Sequence, residues 1–199
     1  MVKAVVFDMG GVILELDMPR CVENFKWKAG FQDIETYLDI YHQKGFISDF
    51  EEGLTSEKEF CDECLRHCAE GVTADDIKYC FNSLIAGPDR NVLRQIRSLS
   101  KEYPIYVLSN NNPICSKRFV EILDEEGAAG CFRDFFFSFR MKMLKPGREI
   151  YDETVRRIGV RPEEILFIDD SIVNVEGAKA AGLNAVLFKK GMEILPEII

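Results

Sequence analysis

Basic residues are scarce in this 199-residue chain. It has 25 lysines and arginines against 34 aspartates and glutamates, a formal net charge of -9. Nucleic acids and anionic membrane surfaces attract proteins through basic faces, which this balance does not supply. We therefore expect no nucleic-acid partner and no membrane partner. The expected partner is a small molecule, and the chain is predicted to be a monomer or a weak dimer.

Long apolar runs and leader signals are also missing. No stretch resembles the roughly 18 apolar residues of a membrane-spanning helix. Lys3 and Asp8 interrupt the apolar residues at the start of the chain, which argues against a secretory signal. Seven cysteines, an odd number, suit a reducing compartment better than a disulfide framework. These features predict a cytoplasmic protein.

Two glycine motifs that bind nucleotides are absent after the first apolar segment. Neither the G-x-G-x-x-G dinucleotide fingerprint nor the G-x-x-x-x-G-K-[ST] phosphate loop occurs there. The sequence therefore does not indicate a cofactor of either kind.

The most informative segment present is residues 3–13 (KAVVFDMGGVI). Its apolar run indicates a strand covered on both faces, as in a parallel α/β sheet. Asp8 follows at the carboxyl end of that strand, where such sheets bind ligands. Gly10 and Gly11 permit close backbone approach, so amide groups there could face an anion. The pattern indicates phosphate chemistry, although in isolation it also fits an ordinary turn after a strand.

Three later segments bring further polar residues to the ends of predicted elements. If the strands are parallel, these residues converge on one edge of the sheet. The segments are 104–108 (PIYVL), followed by Ser109 and Asn110; 164–168 (EILFI), followed by Asp169 and Asp170; and Lys145-Pro146-Gly147, which precedes a predicted helix ending near Gly159. Ser171 and Asn174 are expected to cap or shape the helix after the acidic pair.

In this order, the four segments resemble the four motifs of the haloacid dehalogenase-like hydrolase superfamily. The resemblance covers residues 1–15 and about 88–199. The matches are Asp8 to Val12 for the first motif, D-x-D-x-[TV]; Ser109 for the second; Lys145 for the third; and Asp169 with Asp170 for the fourth. Gly10 replaces the second aspartate of the first motif. That glycine and the LSN and FIDD segments are similar to glucose-1-phosphatases and to the phosphatase half of soluble epoxide hydrolases.

The resemblance implies a magnesium-dependent site. Asp8 would attack phosphorus to form an aspartyl phosphate, which water then hydrolyses. Mg²⁺ would be bound by Asp8, Asp170 and the backbone carbonyl of Gly10, with Asp169 close by to orient Lys145 or a metal-bound water.

The resemblance also implies how the phosphate is held. Lys145 would offset the repulsion between Asp8 and the phosphate, roughly 4 kcal/mol per unit pair at ~4 Å with an effective dielectric of about 20. Ser109 and Asn110 would bind the phosphoryl oxygens, and the backbone of Gly10 and Gly11 would lie beside the substrate.

Gly10 removes the carboxyl group that resembles the general acid and base of the family. Such a group contributes about 10²- to 10⁴-fold to the rate, or roughly 3 to 5.5 kcal/mol of barrier. We therefore predict a slow enzyme that prefers leaving groups needing no protonation, such as anomeric, acyl or aryl phosphates.

Residues 16–87 read as a small helical bundle inserted after the first strand. Helices are predicted near 20–29, 33–44, 56–69 and 73–86, the third beginning at a capping box from Ser56 to Glu59. The resemblance implies that this insert is a mobile cap that closes over the phosphate and selects the substrate.

Several residues of the insert allow two interpretations. Arg20, Phe46 and Phe50 could line the substrate pocket, or they could form a surface ion pair and the bundle core, respectively. Trp27 is predicted to be a core residue. One cluster, formed by Cys61, Cys64, His67 and Cys68, hints at zinc or a redox pair. The spacing of its cysteines on a predicted helix favours buried thiols packed as small apolar groups.

Together these observations predict an α/β fold, with a Rossmann-like parallel sheet sandwiched by helices. Residues 1–15 and 88–199 would form the core hydrolase domain, and 16–87 the helical cap. The predicted activity is magnesium-dependent hydrolysis of a small phosphate ester, possibly a sugar phosphate. Two alternatives stay open: a phosphate-binding or scaffold protein with little turnover, and a metal-free 2-haloacid dehalogenase.

Overall fold

The computed structural model describes residues 1–39 and 43–194. Its main sheet has five parallel strands in the spatial order β5-β4-β1-β6-β7. These strands are β1 (Ala4–Phe7), β4 (Ile105–Ser109), β5 (Phe132–Phe137), β6 (Ile165–Asp169) and β7 (Asn184–Leu187). The predicted parallel α/β sheet is confirmed, with strand boundaries within two residues of those expected.

Helices cover both faces of this sheet and fill the segment inserted near its start. The α-helices of the described residues are α1 (Met18–Glu23), α2 (Phe46–Glu52), α3 (Glu57–Arg66), α4 (Ala74–Asn82), α5 (Arg90–Leu99), α6 (Pro113–Glu125), α7 (Ser138–Met141), α8 (Arg148–Ile158) and α9 (Ile172–Ala180). A π-helical turn, Asn24–Lys28, continues α1, and short 3-10 turns lie at Ile34–Thr36, Ala129–Cys131 and Pro162–Glu164. No helix within the described ranges is long and apolar enough to cross a membrane.

Alternate residues of β1 face opposite cores, as expected of a strand buried on both sides. Val5 and Phe7 belong to a cluster that includes apolar residues of α5 and α6. Ala4 and Val6 belong to a second cluster with residues of α8 and α9. This arrangement places β1 at the centre of a three-layer sandwich.

The connections of the sheet run in opposite directions from β1, which has β4 on one side and β6 on the other. Ligands bind in the crevice outside the carboxyl ends of strands at such a point. Asp8, Ser109 and Asp169 stand at the ends of these three neighbouring strands. The fold therefore brings them to one edge.

A two-stranded antiparallel ribbon joins the inserted segment to the sheet domain. β2 (Leu14–Leu16) pairs with β3 (Ile85–Pro88), and α1 to α4 lie between them in the chain. The sequence predicted a helix up to residue 86, which is wrong at its end. β3, which occupies the end of that range, has only four residues and pairs with a distant segment, so it leaves no local periodicity to detect.

The helices of the insert match the prediction in part. Capping boxes open α3 at Ser56 and α4 at Thr73. The helix predicted over 33–44 is wrong for residues 37–39, where only the preceding 3-10 turn forms; residues 40–42 lie outside those described. The backbone amide of Lys44 donates to Tyr37 O at 2.9 Å.

The aromatic residues of the insert separate into core and surface. Phe50 is fully buried and stacks on Phe60, with ring centroids 4.1 Å apart. Phe46 lies against the same ring, at 5.7 Å. Trp27 is 85% exposed, so the prediction that it is core is wrong. Phe25 and Ala29 take the inward positions of that turn, which leaves Trp27 on the outer face.

The cysteine-rich helix α3 packs as a core element. Cys61 and Cys64 are buried, and all seven cysteines of the chain are unpaired. His67 stacks on Phe31 with ring centroids 4.7 Å apart. Among the residues described, these side chains form no group suited to holding a metal ion, which agrees with the packing interpretation.

Candidate active site

The centre of the site is a lysine held between two carboxylates. Lys145 Nζ donates to Asp8 Oδ1 at 2.8 Å and to Asp169 Oδ2 at 2.6 Å. Asp8 is only 8% exposed, and its backbone amide donates to Ile168 O on β6. The Lys145 side chain is almost fully buried. Three residues from distant parts of the chain, each predicted to belong to the site, therefore share one buried ion-pair network.

Asn110 fixes the backbone that carries this lysine. Its amide oxygen accepts from the Lys145 backbone N at 2.8 Å, and its amide nitrogen donates to the Lys145 backbone O at 2.9 Å. The sequence predicted that Asn110 binds the phosphoryl group directly. The structure adds a holding role, which leaves one amide hydrogen of Asn110 available to a ligand.

Asp169 is fully buried and its carboxylate is saturated with donors. The Ser171 backbone amide donates to Oδ1 at 2.8 Å, and Asn174 Nδ2 lies 3.1 Å from both oxygens. Lys145 takes the remaining direction at Oδ2. These contacts fix Asp169 against the lysine and leave it little capacity for a metal ion. Asn174 is predicted to shape the next helix, and the local sequence pattern does not indicate its contact with Asp169.

Asp170 stands on the other side of Asp8. Ligand atoms of Asp8, Asp169 and Asp170 lie within 4.8 Å of one another. Gly11 has φ +76°, and a Cβ built on it would lie 2.1 Å from Asp170 Oδ2. Glycine at position 11 therefore lets the carboxylate rest against the backbone beside Asp8. The close approach of Asp170 is therefore the physical reason for glycine, rather than a larger residue, at position 11.

The charges of the site do not balance within the described residues. Three carboxylates face one ammonium group, and the carboxylate oxygens of Asp8 and Asp170 are ligands that suit a hard divalent cation. Burial raises the pKa of Asp8 to about 7, with Lys145 opposing and Asp169 adding to the rise. Burial and Asp169 likewise raise the pKa of Asp170. A cation between Asp8 and Asp170 would favour their ionised forms, so the donor set fits Mg²⁺.

Lys145 stays charged in this environment. Burial alone would lower its pKa, but the carboxylates of Asp169 and Asp8 outweigh burial and raise it above the ordinary lysine value. The site therefore keeps one permanent positive charge for an anionic ligand.

A cavity of about 250 Å³ opens in front of these groups. Asp8, Gly10, Gly11, Ser109, Asn110, Lys145 and Asp170, all predicted from the sequence, line it. Residues of the insert line its opposite side, among them Met18, Gln43, Glu51 and Leu84. The cavity is thus enclosed by the sheet edge below and the inserted segment above.

Arg20 lies outside this cavity. Its guanidinium donates to the backbone oxygens of Ser83 and Ile85, each at 2.7 Å. These contacts tie α1 to the end of α4 and to β3. Of the two interpretations of Arg20, the structure favours the surface ion pair, since its Nε lies 3.7 Å from Asp17 Oδ2. The predicted contact with the substrate pocket is not formed, because the guanidinium donors are directed at backbone of the insert.

Glu51 is the main cavity residue that the sequence does not indicate. It lies on α2, between the helices predicted over 33–44 and 56–69, where no helix is predicted. The signal for α2 was weak because Gly45 and Gly53 bound a segment of only seven residues. Its apolar members, Phe46, Ile47 and Phe50, could nonetheless have indicated a short amphipathic turn.

Comparisons with known proteins agree with this arrangement. A family model described as haloacid dehalogenase-like hydrolase matches residues 2–182. A D-ribitol-5-phosphate phosphatase of Bacteroides thetaiotaomicron is 32% identical over 100% of this chain and 97% of its own length.

Solved structures give the same result. A haloacid dehalogenase family enzyme of Bacteroides thetaiotaomicron, in complex with magnesium and inorganic phosphate, has a TM-score of 0.86 at 30% identity and covers 97% of each chain. An L-2-haloacid dehalogenase of Xanthobacter autotrophicus has a TM-score of 0.61 at 20% identity over 94% of this chain and 77% of its own, a likeness of fold alone. The fold, the buried lysine between two aspartates and the family match lead to one conclusion: this chain belongs to the haloacid dehalogenase-like hydrolases.

Proposed function

We propose that this protein is a magnesium-dependent phosphomonoester hydrolase that works through an aspartyl phosphate at Asp8. The observation that carries the proposal is the position of the Lys145 ammonium, held between Asp8 and Asp169 while Asp170 flanks Asp8. This arrangement pairs a carboxylate nucleophile with the charges needed to admit a phosphate dianion.

Each residue around the cavity has a separate role in the proposed reaction. Lys145 holds Asp8 Oδ1, and no hydrogen bond within the described residues occupies Oδ2, which is free to attack phosphorus. Ser109 and Asn110 line the cavity at the end of β4, where the phosphoryl oxygens would lie. Bound Mg²⁺, held by Asp8, Asp170 and the backbone carbonyl of Gly10, would neutralise charge on the transferring group.

We propose a small sugar or polyol phosphate as substrate. The relative that acts on D-ribitol 5-phosphate supports this class. The cavity, about 250 Å³, lies below the usual range for drug-sized ligands and suits a small phosphate ester. Glycine at position 10 supports a place near the glucose-1-phosphatase-like subgroup.

Residues 16–87 are proposed to act as the cap over this substrate. The contribution of Met18, Gln43 and Glu51 to the cavity wall supports this role. The division into a core domain of 1–15 and 88–199 and a cap of 16–87 follows the ribbon of β2 and β3, where the chain leaves and re-enters the sheet domain. A cytoplasmic location is proposed as well, since seven unpaired cysteines suit a reducing compartment.

The test is a phosphatase screen of pentitol and sugar phosphates, acyl phosphates, nucleotides and an aryl phosphate, with Mg²⁺ and with a chelator. Wild-type protein should release phosphate only with the metal, and Asp8→Asn should abolish release. The matched control is Asp152→Asn, a surface aspartate of α8 paired with Arg148, which should keep full activity. Equal inertness of wild type and Asp8→Asn on every compound would reject the hydrolase proposal.

The second candidate is a phosphate-binding protein with little turnover, and the missing carboxyl at position 10 favours it. It predicts phosphate binding by calorimetry without release of alcohol from any ester. A metal-free dehalogenase is disfavoured because it would leave Asp170 beside Asp8 without a counter-ion. Halide release from a 2-haloacid in the presence of a chelator would reverse that judgement.

A further inference from the structure

Glu51 brings a carboxyl group into the cavity from the inserted segment. It lies near the end of α2 and lines the same cavity as Asp8 and Lys145. Among the described residues, no hydrogen bond or ion pair engages its side chain. A half-buried carboxyl group without a partner, facing a nucleophile across a cavity, calls for a functional explanation.

The backbone of Glu51 is held firmly. Ser138 Oγ donates to Glu51 O at 2.6 Å and also accepts from the Asn111 amide at 2.9 Å. Ser138 is fully buried. The end of α2 is therefore tied to the first residue of α7, which in turn contacts the loop that follows β4, next to the site.

Glycine at position 53 makes this close approach possible. It has φ +74°, and a Cβ built there would lie 2.1 Å from Phe139 O. A larger residue would push the end of α2, and Glu51 with it, away from the sheet domain.

Position 10 of this chain offers no proton donor, whereas the first motif of the family has an aspartate there. Gly10 has no side chain to protonate a departing alkoxide, and Lys145 is committed to two carboxylates. We propose that Glu51 is the general acid and base of this enzyme, reaching the leaving-group oxygen from the cap side of the cavity. This inference rests on the proposed phosphatase function.

The two half-reactions balance with this single group. In the first, an Asp8 oxygen forms a bond to phosphorus, the ester P–O bond breaks, and the leaving oxygen takes the proton of Glu51. In the second, water gives a proton to the Glu51 carboxylate as its oxygen attacks phosphorus, and the bond from phosphorus to Asp8 breaks. Glu51 is protonated again, and the products are an alcohol and inorganic phosphate.

The electrostatic environment suits this role. Burial raises the pKa of Glu51 to about 8, with Lys145 lowering it and Asp8 raising it further. These two are the charged groups of other elements that act on it within the described part of the chain; Asp49 and Glu52 lie on its own helix. Glu51 is therefore mostly protonated at neutral pH, the form that an acid needs at the start of the cycle.

The experiment compares Glu51→Gln with wild type on two substrates, an alkyl sugar phosphate and p-nitrophenyl phosphate. The alkyl ester needs a proton on its leaving group, whereas the aryl ester departs without one. We expect kcat for the alkyl ester to fall about 10²- to 10⁴-fold, with much less change for the aryl ester. The fall in wild-type kcat above about pH 8 should also vanish in the variant.

Glu52→Gln, on the same helix but away from the cavity wall, is the matched control and should leave both rates unchanged. Glu51→Asp should keep part of the alkyl activity if proton transfer is the role. Equal losses on both substrates, or no loss on either, would overturn the assignment. A wild type that is inert on both esters would instead reject the phosphatase proposal itself, which separates the two failures.

Discussion

Removal of the Lys145 charge tests the central ion-pair network most directly. Lys145→Met keeps the length of the side chain but leaves Asp8 and Asp169 facing each other without the ammonium that lies 2.8 and 2.6 Å from them. Breaking a buried ion pair from one side costs about 3–5 kcal/mol, because the remaining charge stays desolvated. We expect a loss of this size in the free energy of unfolding at pH 7, together with loss of phosphatase activity.

The measurement is urea denaturation followed by circular dichroism, with Lys179→Met as control. Lys179 pairs with Glu176 at 3.2 Å on the surface of α9, half exposed, so its loss should cost less than about 1 kcal/mol. At lower pH the difference in the free energy of unfolding between Lys145→Met and wild type should become smaller, because protonation of the Asp8 and Asp169 carboxylates removes the uncompensated charge. The ammonium of Lys145 would not compensate the buried charges of Asp8 and Asp169 if Lys145→Met lowered the free energy of unfolding at pH 7 no more than the control does.

Three further predictions concern glycine and amide positions. In the Glu51→Gln background, Gly10→Asp should raise turnover of alkyl phosphates more than of aryl phosphates, because it supplies a new carboxyl group and the nearest atoms to its Cβ belong to the flexible Leu16 side chain, at 3.0 Å. An equal gain on both classes would contradict the idea that a proton donor is what the variant lacks. Gly11→Ala should weaken Mg²⁺ activation at least tenfold, because its Cβ displaces Asp170. The measurement is the metal concentration that gives a half-maximal rate, and an unchanged value would exclude Asp170 as a ligand. Asn110→Ala should lower both kcat and the free energy of unfolding, the latter by about 1–3 kcal/mol, because the backbone N–H and C=O of Lys145 lose their partner. A variant with the kcat and the urea midpoint of wild type would show that the segment carrying Lys145 keeps its position without Asn110.

The sheet and the residues at its edge could be predicted because local pattern and global geometry agree there. A strand buried on both faces must be apolar throughout, so β1, β4 and β6 were visible as short runs, and a polar residue after each run marks the end of the strand. Parallel packing then brings Asp8, Ser109 and Asp169 together without further information.

The inserted segment was harder to predict because distant contacts decide its structure. β2 exists only through its pairing with β3, and α2 is held by its packing against the α7 region. The propensities of a few residues are too weak to reveal either element. Without a predicted helix over residues 46–52, the sequence gives no reason to place Glu51 near Asp8.

Orientation within correctly predicted helices also depended on distant contacts. Trp27 was expected inside because tryptophan is usually well buried, but Phe25 already fills the inward position. The position of Arg20 in the sequence, just after β2, suggests a place near the active site. Its guanidinium instead donates to backbone carbonyls at and before β3, a contact that depends on the three-dimensional path of the chain.

The contact between Asn110 and Lys145 separates the path of the main chain from the charge that it presents. The Asn110 amide pairs with main-chain atoms only, so this contact is available whichever side chain stands at position 145. A substitution there therefore changes charge and stability while this tie to the end of β4 is retained, and the lysine can be varied without removing the anchor of its loop.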